Sequence, residues 1–383
     1  QLPILFTGQG SSSYGETWRG FKLYGDSVFK YCTFSMISGT AFNQTIYNTT
    51  TVDKCIFTDF GQSSVILDLA QVTSFTRNNI IDNIQLHPGG QHQCSSGSMW
   101  EHNNFINNMQ NNTGNNQVGL IFNHDQNNPG YPHLANNNIF NNSPKMDINS
   151  IPQTFHSQSL TNVTMIHPNY FGSSNIETVN SSILDFTENG EYGILNVNMA
   201  TSPSELTNGI VWKVLVNGKD AQDEYALMDP IGVGSHEFKV YFNRTMNTSI
   251  DPQVSYGVAF PYNQKIISET GTWSEDGKIY TVNHDVNVGA ADGYNRIHVQ
   301  GAQDLDYFVI PVEAARFNML VQSAGSASLG WYATPGLGNI ALTWEAPSAE
   351  EIDDLLGYNM YRYEVDADGV ESTPVKLNET LIV

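Results

Sequence analysis

Arg77-Asn78-Asn79-Ile80-Ile81 and His102-Asn103-Asn104-Phe105-Ile106 decide the fold, because the same five-residue pattern returns along the first half of the chain. It is met earlier as Lys30-Tyr31-Cys32-Thr33-Phe34 and Asp53-Lys54-Cys55-Ile56-Phe57, and later as Asn136-Asn137-Asn138-Ile139-Phe140 and His167-Pro168-Asn169-Tyr170-Phe171. Aligned on the third residue (Cys32, Cys55, Asn79, Asn104, Asn138, Asn169), the spacings are 23, 24, 25, 34 and 31. The fifth residue is always large and apolar: Phe34, Phe57, Ile81, Ile106, Phe140, Phe171. A fixed period of this size is the mark of a repeat architecture in which each unit stacks on its neighbours. Strands stacked one coil above the next stand about 4.8 Å apart. The reading places the fifth-residue column inside a continuous core. It also places Asn, which tolerates a left-handed turn, in a hydrogen-bonded ladder. Cys32 and Cys55 take the Asn place in the first two rungs, which suits small buried thiols rather than a catalytic pair. The two long spacings imply inserted loops, one from about His124 to His133 and one within residues 143–158.

These rungs, with Glu16-Thr17-Trp18-Arg19-Gly20 before them and Asn169-Tyr170-Phe171-Gly172 at their end, resemble secreted bacterial right-handed parallel β-helix repeat proteins of the pectin-lyase-like superfamily. The resemblance spans roughly residues 1–200. It implies a β-helix and an extracellular or cell-surface location. Enzymes of that superfamily cleave acidic polysaccharides. Lyases use an Arg or Lys base with acidic calcium ligands, and hydrolases use clustered Asp.

After residue 200 the pattern changes. Val211-Trp212-Lys213-Val214-Leu215-Val216 and Glu237-Phe238-Lys239-Val240-Tyr241-Phe242 alternate as half-buried strands do. Val240 to Met246, with Pro252, Val254 and Tyr256, is similar to bacterial immunoglobulin-like domains. Trp273 to Tyr280 reads as a later hairpin of such a domain, turning at Asp276-Gly277. This unit is expected over residues 201–312, closing near Pro311. Ile340 to Pro347 and Gly357 to Arg362 resemble core strands of a fibronectin type III domain, truncated within residues 313–383. The expected class is therefore all-β, and the chain reads as part of a longer polypeptide.

Charge narrows the partners. There are 16 basic and 38 acidic residues, a net charge of −22, with −7 before residue 200 and −15 after it. Such a surface repels nucleic acid and anionic lipid. No apolar run approaches the roughly 18 residues of a membrane-spanning helix. The 3 cysteines, Cys32, Cys55 and Cys94, have no zinc spacing and do not suggest a disulfide scaffold. Calcium is a conceivable ligand for so acidic a chain, although simple solubility explains the charge as well.

Catalytic candidates are few. Asp59 and Asp82 fall on adjoining coils, and Arg77 and Lys54 lie beside the ladder with Asp53 near them. Paired carboxylates suit acid/base work or calcium; solvated turn residues are the plainer reading. His87, His92, His102 and His124 could converge, but their spacing matches no metal motif. For sugar binding, Trp18, Tyr24, Trp100 and Tyr131 are the aromatic candidates. Trp212, Trp273 and Trp344 are expected as core anchors. The Asn-x-Ser/Thr sites at Asn43, Asn48, Asn162 and Asn180 are what an Asn-rich chain yields by chance. Three functions follow in order of preference. They are a non-catalytic surface protein that binds a glycan, a polysaccharide lyase or glycoside hydrolase, and a structural stalk.

Overall fold

The computed structural model describes residues 4–7, 20–37, 40–44, 49–60, 64–68, 73–83, 86–89, 99–108, 121–122, 133–142, 155–157, 163–187, 190–222, 230–268, 271–287, 292–323, 332–335, 340–343, 358–362, 375–380 and 382. The chain is all-β with extensive parallel sheets, compatible with a β-helix-like fold. Six strands, Ile4–Thr7, Cys32–Ser35, Ile56–Thr58, Asn79–Ile81, Asn104–Ile106 and Asn138–Phe140, form one parallel sheet in sequence order. A second parallel sheet holds Phe21–Leu23, Thr40–Gln44, Ser64–Asp68 and Leu86–Gly89. A third holds Ser27–Lys30, Thr50–Asp53, Thr73–Thr76, Met99–Glu101 and His133–Ala135. Each circuit of the chain visits the third sheet, the six-stranded sheet and then the second.

Single residues in the left-handed conformation make the corners. Tyr31, Lys54, Arg77, His102 and Asn136 all have φ between 53° and 56° on entry to the six-stranded sheet. Met36, Asp59, Asp82, Asn107 and Asn141 have φ between 56° and 58° on leaving it. The turn needs φ > 0, which Asp or Asn supplies at four of the five exit corners, whereas four of the five entry corners use Tyr, Lys, Arg or His, and Asn79, Asn104 and Asn138, expected at the turn, lie in strands instead.

The rung register differs from the sequence alignment by one residue in the middle coils. Thr33 pairs with Ile56, Ile80 with Phe57 and with Phe105, and Phe105 with Ile139. The interior column is thus Phe34, Phe57, Ile80, Phe105 and Ile139, all fully buried, and Phe171 follows in the same core. Phe34 stacks on Phe57 with ring centres 5.0 Å apart. Ile81, Ile106 and Phe140, expected inside, face outward instead, because a shift of one residue reverses every side chain of a strand.

Cys32 and Cys55 are buried and free. Burial pushes the Cys55 thiol up to about 12 and raises that of Cys32. Their column continues through Asn78, Asn103, Asn137 and Asn169. The Asn78 Oδ1 accepts from Cys55 N at 2.8 Å, that of Asn103 from Asn78 N at 2.9 Å, that of Asn137 from Asn103 N at 2.8 Å, and that of Asn169 from Asn137 N at 3.0 Å. Each amide also donates to a carbonyl of the coil before, as Asn103 Nδ2 does to Phe75 O at 3.0 Å. A second buried ladder, Asn83, Asn108 and Asn142, closes the other edge of the sheet. Buried polar groups left unpaired cost about 1–3 kcal/mol, and these ladders pair the corner N–H groups of Cys55, Asn78, Asn103 and Asn137 on one edge and of Phe60 and Asn108 on the other.

Two antiparallel sheets follow. One orders Lys219–Asp220, Val211–Val216, Gly234–Phe242, Ile279–Val286 and Thr272–Trp273; the other orders Lys265–Ile266, Gln253–Gly257, Gly293–Gln300 and Asn318–Val321. They share a core that includes Val214, Phe238, Tyr256, Val282, Ile297 and Phe317. Trp273 pairs with Tyr280 across the hairpin, where Gly277 supplies φ 65°. Trp273 packs half-buried on this core. Trp212 packs instead against Ile106, Phe140 and Tyr170 of the parallel stack. Because Asn318–Val321 pairs with Gly293–Gln300, the antiparallel unit runs past the expected close near Pro311. Beyond it the described residues hold two strand pairs, Tyr332–Pro335 with Ile340–Thr343 and Tyr361–Arg362 with Val375–Lys376. Trp344 lies outside the described residues.

Candidate functional site

Among the described residues, the outer face of the six-stranded sheet is covered over its later rungs and more exposed over its first. Its outward columns run Leu5, Thr33, Ile56, Asn79, Asn104, Asn138 and Thr7, Ser35, Thr58, Ile81, Ile106, Phe140. Over the later rungs lie residues 204–210 and the antiparallel unit. Asn104 Nδ2 donates to Asn79 Oδ1 at 2.8 Å and to Asn208 O at 3.1 Å. Asn138 Nδ2 donates to Asn104 Oδ1 at 2.7 Å and to Thr207 Oγ1 at 2.9 Å. So the column Asn79, Asn104 and Asn138 is indeed a ladder, but it lies on the outside, beneath a strap. Ile106 and Phe140 are buried with Tyr170 and Ile210, and Ile81, Ala200 and Trp212 pack against them.

A buried ion pair fastens this junction. Arg316 Nε donates to Glu313 at 2.8 Å, and Arg316 also donates to the carbonyls of Gly172 and Val211. Asn141 Nδ2 reaches both Glu313 oxygens, at 3.4 and 3.3 Å. Gly172, at φ 83°, is a required glycine: a Cβ there would stand 2.7 Å from Phe140 Cβ. Tyr170 is enclosed beside this pair, and burial raises its phenol against the opposing charge of Arg316.

The charged corner residues are partnered within the protein. Arg77 binds Asp53 with two bonds, Nε at 2.8 Å and Nη2 at 2.7 Å, and Thr76 Oγ1 adds a third to that carboxylate. Lys54 Nζ donates to Asp306, which also receives Arg244 Nη2 at 3.1 Å. Burial alone would raise the Asp306 carboxyl, but the Lys54 hydrogen bond and the charges of Lys54 and Arg244 hold it below the usual range. Ser35 Oγ donates to Asp59 at 3.2 Å. Asp59 and Asp82 hold equivalent corner positions on consecutive rungs. Among the described residues no group of three or more His, Cys, Asp or Glu is gathered for a metal.

The aromatic candidates separate clearly. Trp100 is 0% exposed. It sits in the inward column of the third sheet between Phe75 and Leu134, stacked 4.4 Å from Phe75, and cannot offer a face to a sugar. Tyr24 is 72% exposed, with Lys22 Nζ 5.5 Å from its ring. Trp18 and Tyr131 lie outside the described residues, as do His92, His124 and Cys94. His87 stands on the strand Leu86–Gly89, and its side chain is not described. Among the described residues His102 shares no metal-like cluster; its Nδ1 lies 3.0 Å from Ser204 Oγ, and burial lowers its pKa. Sequence reading missed two exposed tyrosines, Tyr31 at the entry corner of the six-stranded sheet and Tyr307 in the turn after Asp306. Tyr31 was visible as the residue before the first Cys rung, and its neighbour-by-coil Lys54 was the available clue.

No protein-family model matches this chain, and no curated protein matches it in sequence.

Proposed function

We propose that the chain is a non-catalytic polysaccharide-binding segment of an extracellular or cell-surface protein. In this reading a right-handed parallel β-helix carries the ligand on the more exposed first rungs of its six-stranded sheet. An immunoglobulin-like sandwich braces the later rungs, and a fibronectin-type segment extends beyond. The observation that carries the reading is that Arg77 and Lys54, the two candidate bases, are held in ion pairs with Asp53 and Asp306. A general acid or base must be positioned to exchange a proton with substrate, and these side chains are committed elsewhere. The exposed Thr7 and Leu5 and the half-buried Thr33 and Ile56 leave a mixed polar and apolar strip of the kind that accepts sugar rings.

The test exposes the chain to neutral and acidic polysaccharides, with and without calcium, and follows retention on the polymer and release of shorter sugars together. Retention without release supports the proposal. Release that disappears in Asp59→Asn and Asp82→Asn would replace it with a lyase or hydrolase. Absence of both would leave the structural stalk as the better reading.

A further inference from the structure

We infer that an uncharged polysaccharide is gripped at the mouth of the seam between the parallel stack and the antiparallel unit, by Tyr31 and Tyr307 over the Lys54–Asp306–Arg244 cluster. This rests on the polysaccharide-binding reading above and assigns that ligand its class and its anchor residues.

The seam runs along one corner of the six-stranded sheet, where Tyr31, Lys54, Arg77 and His102 stack coil upon coil. His102 meets Ser204, Arg77 O accepts from Asn208, and Lys54 meets Asp306. Tyr31 is the next corner residue and lies just beyond the last of these contacts. It is 40% exposed, and Lys54 Nζ stands 5.5 Å from its ring centre. On the opposite side Asp306 is followed directly by Tyr307, which is 72% exposed. Tyr307 is held in the left-handed region at φ 70° by bonds from its N to Asp304 O and from Gln303 Nε2 to its O. Tyr307 thus closes a tight turn whose flanks, Gln303 and Val309, pair across it. Lys54, paired with Asp306 and close to the Tyr31 ring, stays 13% exposed, with Asp306 at 24% and Arg244 at 22%, and Tyr307 is the residue next to Asp306.

Aromatic faces flanking fixed donors and acceptors are what a pyranose ring with its hydroxyls requires. The charge balance chooses the class. Arg244 is shared between Asp304 and Asp306, and Lys54 is paired with Asp306, so the cluster offers hydrogen bonds without a spare positive charge. A chain of net charge −22 repels a polyanion, and a neutral polymer escapes that cost.

The experiment measures retention of the full chain in affinity gels containing soluble glucan, mannan or xylan, with polygalacturonate and alginate as acidic counterparts. The wild type is compared with Tyr31→Ala, Tyr307→Ala and the control Tyr361→Ala, an exposed tyrosine on the strand pair beyond the antiparallel unit, each checked for an unchanged melting temperature. We expect retention by at least one neutral polymer, weakened about tenfold by Tyr31→Ala and by Tyr307→Ala, the loss of one aromatic contact with the ligand, and unaffected by Tyr361→Ala. Retention that survives both seam substitutions, or that prefers the acidic polymers, overturns the seam site while leaving polysaccharide binding standing. No retention by any polymer overturns both.

Discussion

The Arg316 guanidinium lies 4.1 Å from the centre of the Phe140 ring, with its charge matched by Glu313 behind it. Phe140 belongs to the parallel stack and Arg316 to the antiparallel unit, so one cation serves both bodies. Both members of the ion pair are nearly enclosed, and breaking such a pair by removing one partner leaves a buried charge. Arg316→Leu is expected to cost about 3 kcal/mol. In calorimetry it should separate a single unfolding transition into two. A variant that still melts in one transition at the wild-type temperature would show that the contact does not couple the units.

Asn103 is the centre of the inner ladder: its Oδ1 accepts from Asn78 N, and its Nδ2 donates to Phe75 O and to Asn137 Oδ1. Asn103→Ala strands two buried backbone groups and should cost about 3 kcal/mol in denaturant unfolding. Asn198→Ala, which removes one exposed bond to Ile166 O, should change stability by about 0.5 kcal/mol or less. Equal effects would contradict the ladder's role.

Three histidines are expected to make the fold acid-sensitive. Burial lowers the imidazole pKa of His298, His284 and His102 below the ordinary value. The unfolded chain then binds more protons than the folded one as pH falls past about 6.5. The stability they confer is complete above that pH and is lost as pH falls through the depressed folded values. The melting temperature should drop between pH 7.5 and 5, and His298→Gln should flatten the drop. A melting temperature that is level or rising over this range would refute the assignment.

Trp100 should emit as a fully buried indole that iodide does not quench. Trp100→Ala should cost about 3–5 kcal/mol, in keeping with removal of a large core aromatic. Tyr24→Ala should be close to neutral, since its ring is mostly in solvent. Ready quenching of Trp100 would place it outside the core.

The repeat was legible because physics fixes the coil length: the corners recur wherever the chain needs φ > 0. The register was not, because the Asn78-Asn79 and Asn103-Asn104 doublets supply a ladder on each side of the strand. Either Asn can be aligned with Cys55, and the two choices differ by one residue. The usual arbiter, which side is apolar, also fails here, since Ile106 and Phe140 are buried outward against Ile210 as firmly as Phe105 and Ile139 are buried inward. Trp100 misled for a related reason: only pairing with Phe75 reveals that its side of the strand faces in. Partnerships such as Lys54 with Asp306 join residues 252 positions apart, and no local pattern announces them.

The most direct test of a binding segment that does not cut is a long incubation of the intact chain with each polymer that retains it, following new chain ends and polymer length over time. The account predicts polymer of unchanged length and no new ends, with or without calcium. Steady accumulation of shorter sugars, abolished by Asp59→Asn or Asp82→Asn, would contradict it.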